Sequence, residues 1–209
     1  MSDTKKVTLN SSSPEYWEHA YQSGDIGWDL GRSTPAFDQW IETCREPQSI
    51  CVLGAGNGWD AVNFAIRGHE VTAVDFSESA VKNMRSAVGK YEVKIDIRHM
   101  DIFNLHQKFT NHFDVVLEYT CFCAIDPSHR NDYLKMVYHI MKPQGKLVGL
   151  LFPIDKDPSE GGPPFGVLLK PTIKLISRYF TLITQQITPL SINSRVGREV
   201  FIIFRKDRK

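Results

Sequence analysis

From residue 49 onward the chain alternates short apolar runs with longer amphipathic ones, and the two have different periods. Ser49 to Leu53 and Glu70 to Asp75 are runs of strand length, rich in β-branched residues. Each is followed by apolar positions recurring at three and four. One such stretch runs from Trp59 to about Arg67, with Gly68 as its stop. The other lies behind Ser77, a good N-cap, where Ala80, Val81, Met84, Ala87 and Val88 share one helical face. The spacing therefore predicts two strand–helix units in succession. Val93 to Arg98 alternates Val93, Ile95 and Ile97 with Lys94, Asp96 and Arg98, which predicts a half-solvated strand at a sheet edge. Phe113 to Glu118 and Lys146 to Phe152 hold apolar runs and belong nearer the centre. Between them Arg130 to Met141 reads as a helix ended ahead of Pro143. Thr181 to Ile187 and Glu199 to Phe204 have no helix between them and are read as an antiparallel pair.

Strands alternating with helices imply an α/β fold, doubly wound and Rossmann-like, with a mostly parallel sheet and an antiparallel C-terminal strand. Ahead of it, Met1 to Ser13 is polar and expected to be disordered, so that one domain spans residues 14–209. After Pro14 a short helix through Tyr21 sets Trp17 and Tyr21 four residues apart on one face, until Gly24 and Gly27 break it. The segment from Pro14 to Gly31 is expected to act as a helical lid. A second helix starts after Pro35, runs to about Cys44 and buries Phe37, Trp40 and Ile41.

The 209 residues suit one α/β domain, and with 42% hydrophobic residues, 23% charged and a net charge of +1 the chain has no footprint for nucleic acid. No apolar run approaches the roughly 18 residues of a membrane span, and the amino terminus lacks the apolar core of a secretory signal. Cys44, Cys51, Cys121 and Cys123 form neither a CxxC pair nor a disulfide framework, so a reduced, cytoplasmic setting is expected. His99, His106, His112 and His129 lack metal-ligand spacing, and no metal is expected.

The first strand runs into Gly54-Ala55-Gly56-Asn57-Gly58 and then directly into a helix, at the turn where doubly wound folds bind nucleotides. Glycines let backbone turn sharply and approach a ligand, and the helix start offers free amides. Asp75, at the tip of the second strand, can accept two hydrogen bonds from a ribose. Trp59 stands where a dinucleotide fingerprint needs its third glycine, and the loop has no basic residue for a triphosphate. A cofactor with a ribose but no phosphate is what remains. Asp101 and Ile102 follow the third strand, where such folds contact adenine by its exocyclic amine and its face.

Several stretches go beyond the glycine loop. They are Tyr16-Trp17-Glu18, Gly27-Trp28-Asp29-Leu30-Gly31 with Thr34-Pro35, Phe122-Cys123-Ala124-Ile125-Asp126-Pro127, and Gly161-Gly162-Pro163-Pro164-Phe165. Together they resemble the thiopurine S-methyltransferase family, and within it the thiol and halide methyltransferase branch, over nearly the whole chain. The resemblance implies S-adenosylmethionine as cofactor. It implies that Trp17, Tyr21 and Trp28 line its site from above, that Gly54, Gly56 and Asp75 meet the methionine and ribose, Asp101 and Ile102 the adenine, and Tyr119 the reacting centre. Tyr21 stands where the plant branch has tryptophan. Ring faces suit a sulfonium, which is a positive centre.

Methyl transfer from a sulfonium is an in-line displacement, so alignment and the ionised form of the nucleophile are what the protein must supply. Arg195 and Arg198, in the loop before the last strand, are candidates for holding an anionic nucleophile, and Asp155 for accepting a thiol proton. Cys121 and Cys123 read as small apolar wall residues. The expected acceptor is a small-molecule nucleophile: a thiol, sulfide or halide. A catalytically silent protein that only binds the cofactor, and acceptors such as tellurite, selenium species or thiopurines, are the alternatives.

Overall fold

The computed structural model describes residues 10–208. Of the stretch expected to be disordered, residues 1–9 lie outside the described residues, whereas Asn10–Ser13 form a turn closed by the Ser13 amide on the Asn10 carbonyl at 2.9 Å. Helix α1 (Pro14–Ser23) starts with proline at its first position, where no amide is needed, and stops at Gly24 in the left-handed conformation. Helix α2 (Pro35–Ile41) ends three residues earlier than expected, because the chain turns with the Cys44 amide on Ile41 and the Thr43 hydroxyl on the Trp40 carbonyl.

The alternating segment is β1 (Ser49–Leu53), α3 (Trp59–Ile66), β2 (Glu70–Asp75), α4 (Glu78–Tyr91), β3 (Ile95–His99), β4 (Phe113–Tyr119), α5 (Arg130–Ile140), β5 (Met141–Leu151), α6 (Leu169–Ile176), β6 (Thr181–Gln186) and β7 (Val200–Arg205). The seven strands form one sheet in the order β3-β2-β1-β4-β5-β7-β6, in which only β7 runs opposite to the other six. As expected, β3 lies at an edge and Ser77 caps α4 by accepting from the Ala80 amide. Strand β3 starts two residues later than expected, because Glu92 ends α4 with a positive φ and the Val93 amide still bonds to Val88.

The period of two decides which helix layer each strand residue meets. In β1, Cys51 and Leu53 join the core under α5 and α6, while Ile50 and Val52 join the core under α2 and α3. Val116 against Val115 and Leu117 in β4, and Leu147 and Leu151 against Val148 and Leu150 in β5, divide the same way. Helices thus cover both faces.

Two further features depart from the sequence reading. Strand β5 begins at Met141, directly after α5, because Met141 pairs with Phe113 before a bulge restores the register at Val115 and Lys146. Gln144 takes a positive φ in that bulge, and a Cβ at Gly145 would lie 2.8 Å from the Lys142 carbonyl. Helix α6 was not anticipated; it carries Pro171 in its first turn, where the ring replaces an amide with no partner. No helix among the described residues is long and apolar enough to cross a membrane.

Candidate active site

Strand order reverses between β1 and β4, so the loops leaving their carboxyl ends diverge to opposite faces and open a crevice. The glycine loop forms one side. Gly54 and Gly56 have φ of +57° and +55°, a conformation that side chains rarely adopt. A Cβ on Gly54 would lie 3.1 Å from Cys121 Sγ of the loop after β4, and one on Gly56 would lie 2.9 Å from the Tyr21 hydroxyl. Bare backbone is therefore required both by the loop after β4 and by helix α1.

Asp75 ends β2 almost fully buried. Its Oδ2 accepts from the Gly56 amide and its Oδ1 from the Ser77 amide, both at 2.9 Å. Burial raises the carboxyl above its ordinary value, while these amides oppose that shift. The acid thus braces the glycine loop and still lines the crevice. Asp101 caps the 3-10 turn at Ile102–Gln107 by accepting from the Phe103 amide at 2.9 Å.

Between these groups and the lid lies a cavity of about 510 Å³. Trp17, Tyr21 and Trp28 roof it, with Trp28 edge-on to both other rings at 5.2 and 5.8 Å. Gly54, Asp75, Asp101 and Ile102 line it, as do Phe152, Pro163, Pro164, Arg195 and Arg198. Arg195 is 4% exposed and packs between the rings of Tyr119 and Phe152, at 4.8 and 5.0 Å. Its Nη2 donates to the Trp28 carbonyl at 3.0 Å, and its buried Nη1 makes no hydrogen bond.

Two plant enzymes match most of the chain. "Probable thiol methyltransferase 2" of Arabidopsis thaliana is 30% identical over 197 residues, covering 91% of this chain and 84% of that one. "Thiocyanate methyltransferase 1" of Brassica oleracea is 30% identical over 190 residues, covering 88% and 81%. The family model described as thiopurine S-methyltransferase matches residues 12–188. The chain belongs to the thiopurine S-methyltransferase family. Among solved structures, Burkholderia thailandensis 1,6-didemethyltoxoflavin-N1-methyltransferase, with 1,6-didemethyltoxoflavin and S-adenosylhomocysteine bound, shares the fold at a TM-score of 0.74 and 20% identity, over 93% of this chain and 87% of that one.

Of the residues singled out from the sequence, this family member brings nine to the large cavity: Trp17, Tyr21, Trp28, Gly54, Asp75, Asp101, Ile102, Arg195 and Arg198. Gly56 and Tyr119 instead line a smaller adjoining space of about 70 Å³, together with Asp60 and Trp59. Tyr119 stands edge-on to Phe37 and donates to buried Glu199 at 2.9 Å, so it supports Arg195 from behind. Asp155 lies at the surface, 46% exposed, and accepts from Arg198 Nε at 2.7 Å. That guanidinium holds its carboxyl below the usual range, which makes Asp155 a counter-ion to Arg198. The two cysteines are wall residues: burial raises both thiols, Cys123 to about 12, and Cys123 Sγ donates to the Thr120 carbonyl.

Sequence reasoning missed Glu118. It is buried under the turn after β4, where it accepts from the Tyr133 hydroxyl at 2.5 Å and the Phe122 amide at 2.7 Å, and burial pushes its carboxyl up to about 7. Its one signal was an acid closing an apolar strand. The two specific stretches of the resemblance meet here, for the Phe165 amide donates to the Cys123 carbonyl at 2.7 Å and Arg130 Nη1 to the Gly166 carbonyl at 2.9 Å. Asp126 and His129 of the same region line the cavity and were also missed.

Proposed function

We propose that this chain is a single-domain, cytoplasmic methyltransferase that uses S-adenosylmethionine to methylate a small anionic nucleophile, namely a thiolate, hydrosulfide or halide. The observation that carries the reading is the polarity of the large cavity. Its wall combines Asp75, Asp101 and the bare backbone of Gly54 with the guanidinium groups of Arg195 and Arg198. The residues present fit the cofactor: Gly54 brings bare backbone to the cavity wall, and Asp75 is fixed by two amides yet lines the cavity. Four free cysteines support the reduced setting.

When bound, S-adenosylmethionine supplies a methyl group already activated by its sulfonium. Asp75 would accept from the ribose hydroxyls, Asp101 from the adenine amine, and Ile102 would pack on the adenine face. Trp17, Tyr21 and Trp28 exclude water and turn ring faces toward positive charge. Arg195 and Arg198 hold the nucleophile in its anionic form and in line, which lowers the fraction lost to protonation. Asp155 is not assigned as the proton acceptor, since it is already paired with Arg198.

The test is S-adenosylhomocysteine formation with a panel of acceptors: hydrosulfide, small thiols, iodide, a thiopurine and tellurite, beside a protein and an RNA. Turnover of hydrosulfide, thiol or iodide with none of the polymers is the expected result. Transfer to polymer alone, or to none of the panel, refutes it.

A further inference from the structure

The lid is fastened at three places. Near its start, Glu18 Oε2 accepts from Ser77 Oγ at 2.7 Å and the Ser79 amide at 3.0 Å, while Oε1 accepts from Ser79 Oγ and from Gln22 Nε2 at 3.0 Å. At its loop, Asp29 accepts from Asn57 Nδ2 and Trp59 Nε1, both at 2.7 Å. At Trp28 the carbonyl takes the bond from Arg195.

We propose that Glu18 is a positioning residue, a clasp through which closure of the lid over the adenosyl end sets the guanidinium of Arg195 at the acceptor end. The proposal rests on the reading above of which residues hold which ligand. Ser77 is the junction. Its amide donates to Asp75, its hydroxyl accepts from Ala80 and donates to Glu18, and Asp75 in turn accepts from Gly56. Hydrogen bonds thus run unbroken from the lid helix to the glycine loop. Glu18 also stands at the amino end of the 14-residue helix α4, where unpaired amides favour negative charge. These donors hold its carboxyl down to about 2.

From Glu18 the connection is mechanical. Trp17 and Tyr21 lie one before and three after it on α1, so seating Glu18 seats both rings. Both pack edge-on against Trp28, and the Trp28 carbonyl orients Arg195 across 167 residues of chain. An open lid therefore removes the hydrogen bond that fixes the Arg195 fork between its two flanking rings, which places acceptor binding after closure over the adenosyl group.

The full-length Glu18→Gln variant keeps the shape but loses the charge and two acceptor positions. Three readouts apply: calorimetric binding of S-adenosylhomocysteine, protease cleavage near Gly24 with and without it, and acceptor KM at saturating S-adenosylmethionine. We expect binding about tenfold weaker, cleavage that the ligand no longer slows, and an acceptor KM raised about fivefold or more. Ser79→Ala, on the far side of the clasp, is expected to reproduce these changes, and the double variant to add little. A merely structural role lowers thermal stability and leaves acceptor KM at saturating cofactor unchanged. Parent-like acceptor KM and ligand-protected cleavage in both single variants overturn the clasp alone. Failure of the parent chain itself to bind S-adenosylhomocysteine overturns the cofactor reading, and the clasp with it.

Discussion

If Arg195 stabilises an anionic nucleophile, removing its charge must change how the rate depends on pH, and only for acceptors that carry a proton. The side chain is buried and packed between two rings, so Arg195→Ala would confound charge with a void. Arg195→Met keeps most of the volume without the charge, and Arg195→Lys keeps the charge but not the fork. A unit charge about 4 Å from a thiolate is worth roughly 4 kcal/mol at an effective dielectric of about 20. Some of that is lost to solvent and to nearby Glu199, so about 1–3 kcal/mol is the working range, or about one to two units on the bound thiol. The assay is kcat/KM against pH at saturating S-adenosylmethionine, for hydrosulfide and for iodide. With hydrosulfide, Arg195→Met is expected to move the rising limb about one to two units toward alkaline pH, and Arg195→Lys to recover most of that shift. Iodide carries no proton, so its rate is expected to fall in Arg195→Met by a factor that does not vary with pH. An unmoved limb in Arg195→Met, with iodide turnover within about twofold of the parent, refutes the assignment.

Asp75→Ala removes the acceptors facing the cavity and strands the Gly56 and Ser77 amides. S-adenosylhomocysteine binding, measured by calorimetry, is expected to weaken by about 1–3 kcal/mol per lost ribose bond, and binding as tight as the parent's refutes the placement. Glu118 supplies a pH dependence of stability. Its folded pKa of about 7 exceeds the ordinary 4.5, so the fold favours the protonated acid, and its contribution is fully present below about 4.5 and lost as pH rises through about 7. Two and a half units correspond to at most about 3 kcal/mol. In denaturant titrations the stability gap between parent and Glu118→Gln is expected to shift against the parent between about pH 5 and about pH 8; a constant gap shows that the buried carboxyl does not titrate there.

The parts of the fold legible in the sequence are those whose partners are local. Ser77 caps the helix that it begins, and Gly54 sits at the end of the strand that aims it, so spacing alone located one wall of the cavity. What could not be read depends on partners far along the chain. Strand β5 starts at Met141 because Phe113 stands opposite it, which no property of the 141–145 segment announces. Glu118 and Tyr119 are adjacent in β4, and the sheet sends them to opposite faces, so the residue expected at the reacting centre buttresses Arg195 while its neighbour is buried beneath the turn.

Asp155 shows what this means for chemistry. Read along the chain, it is an acid beside the sheet's carboxyl edge and an obvious proton acceptor. In the fold, a guanidinium 43 positions away has claimed it and drawn its carboxyl down, and it lies off the cavity wall. Glu118, whose raised carboxyl suits proton transfer better, already accepts from Tyr133 and Phe122 beneath the wall. In the function proposed above, positive charge from Arg195 and Arg198 is the means of keeping a nucleophile anionic. Such a site favours acceptors that ionise near neutrality or are already anions, and works against amines, which would have to lose a proton beside two guanidinium groups. The proposed preference for small, soft anions thus follows from two guanidinium groups in the cavity wall and from the pairing of Asp155 and Glu118.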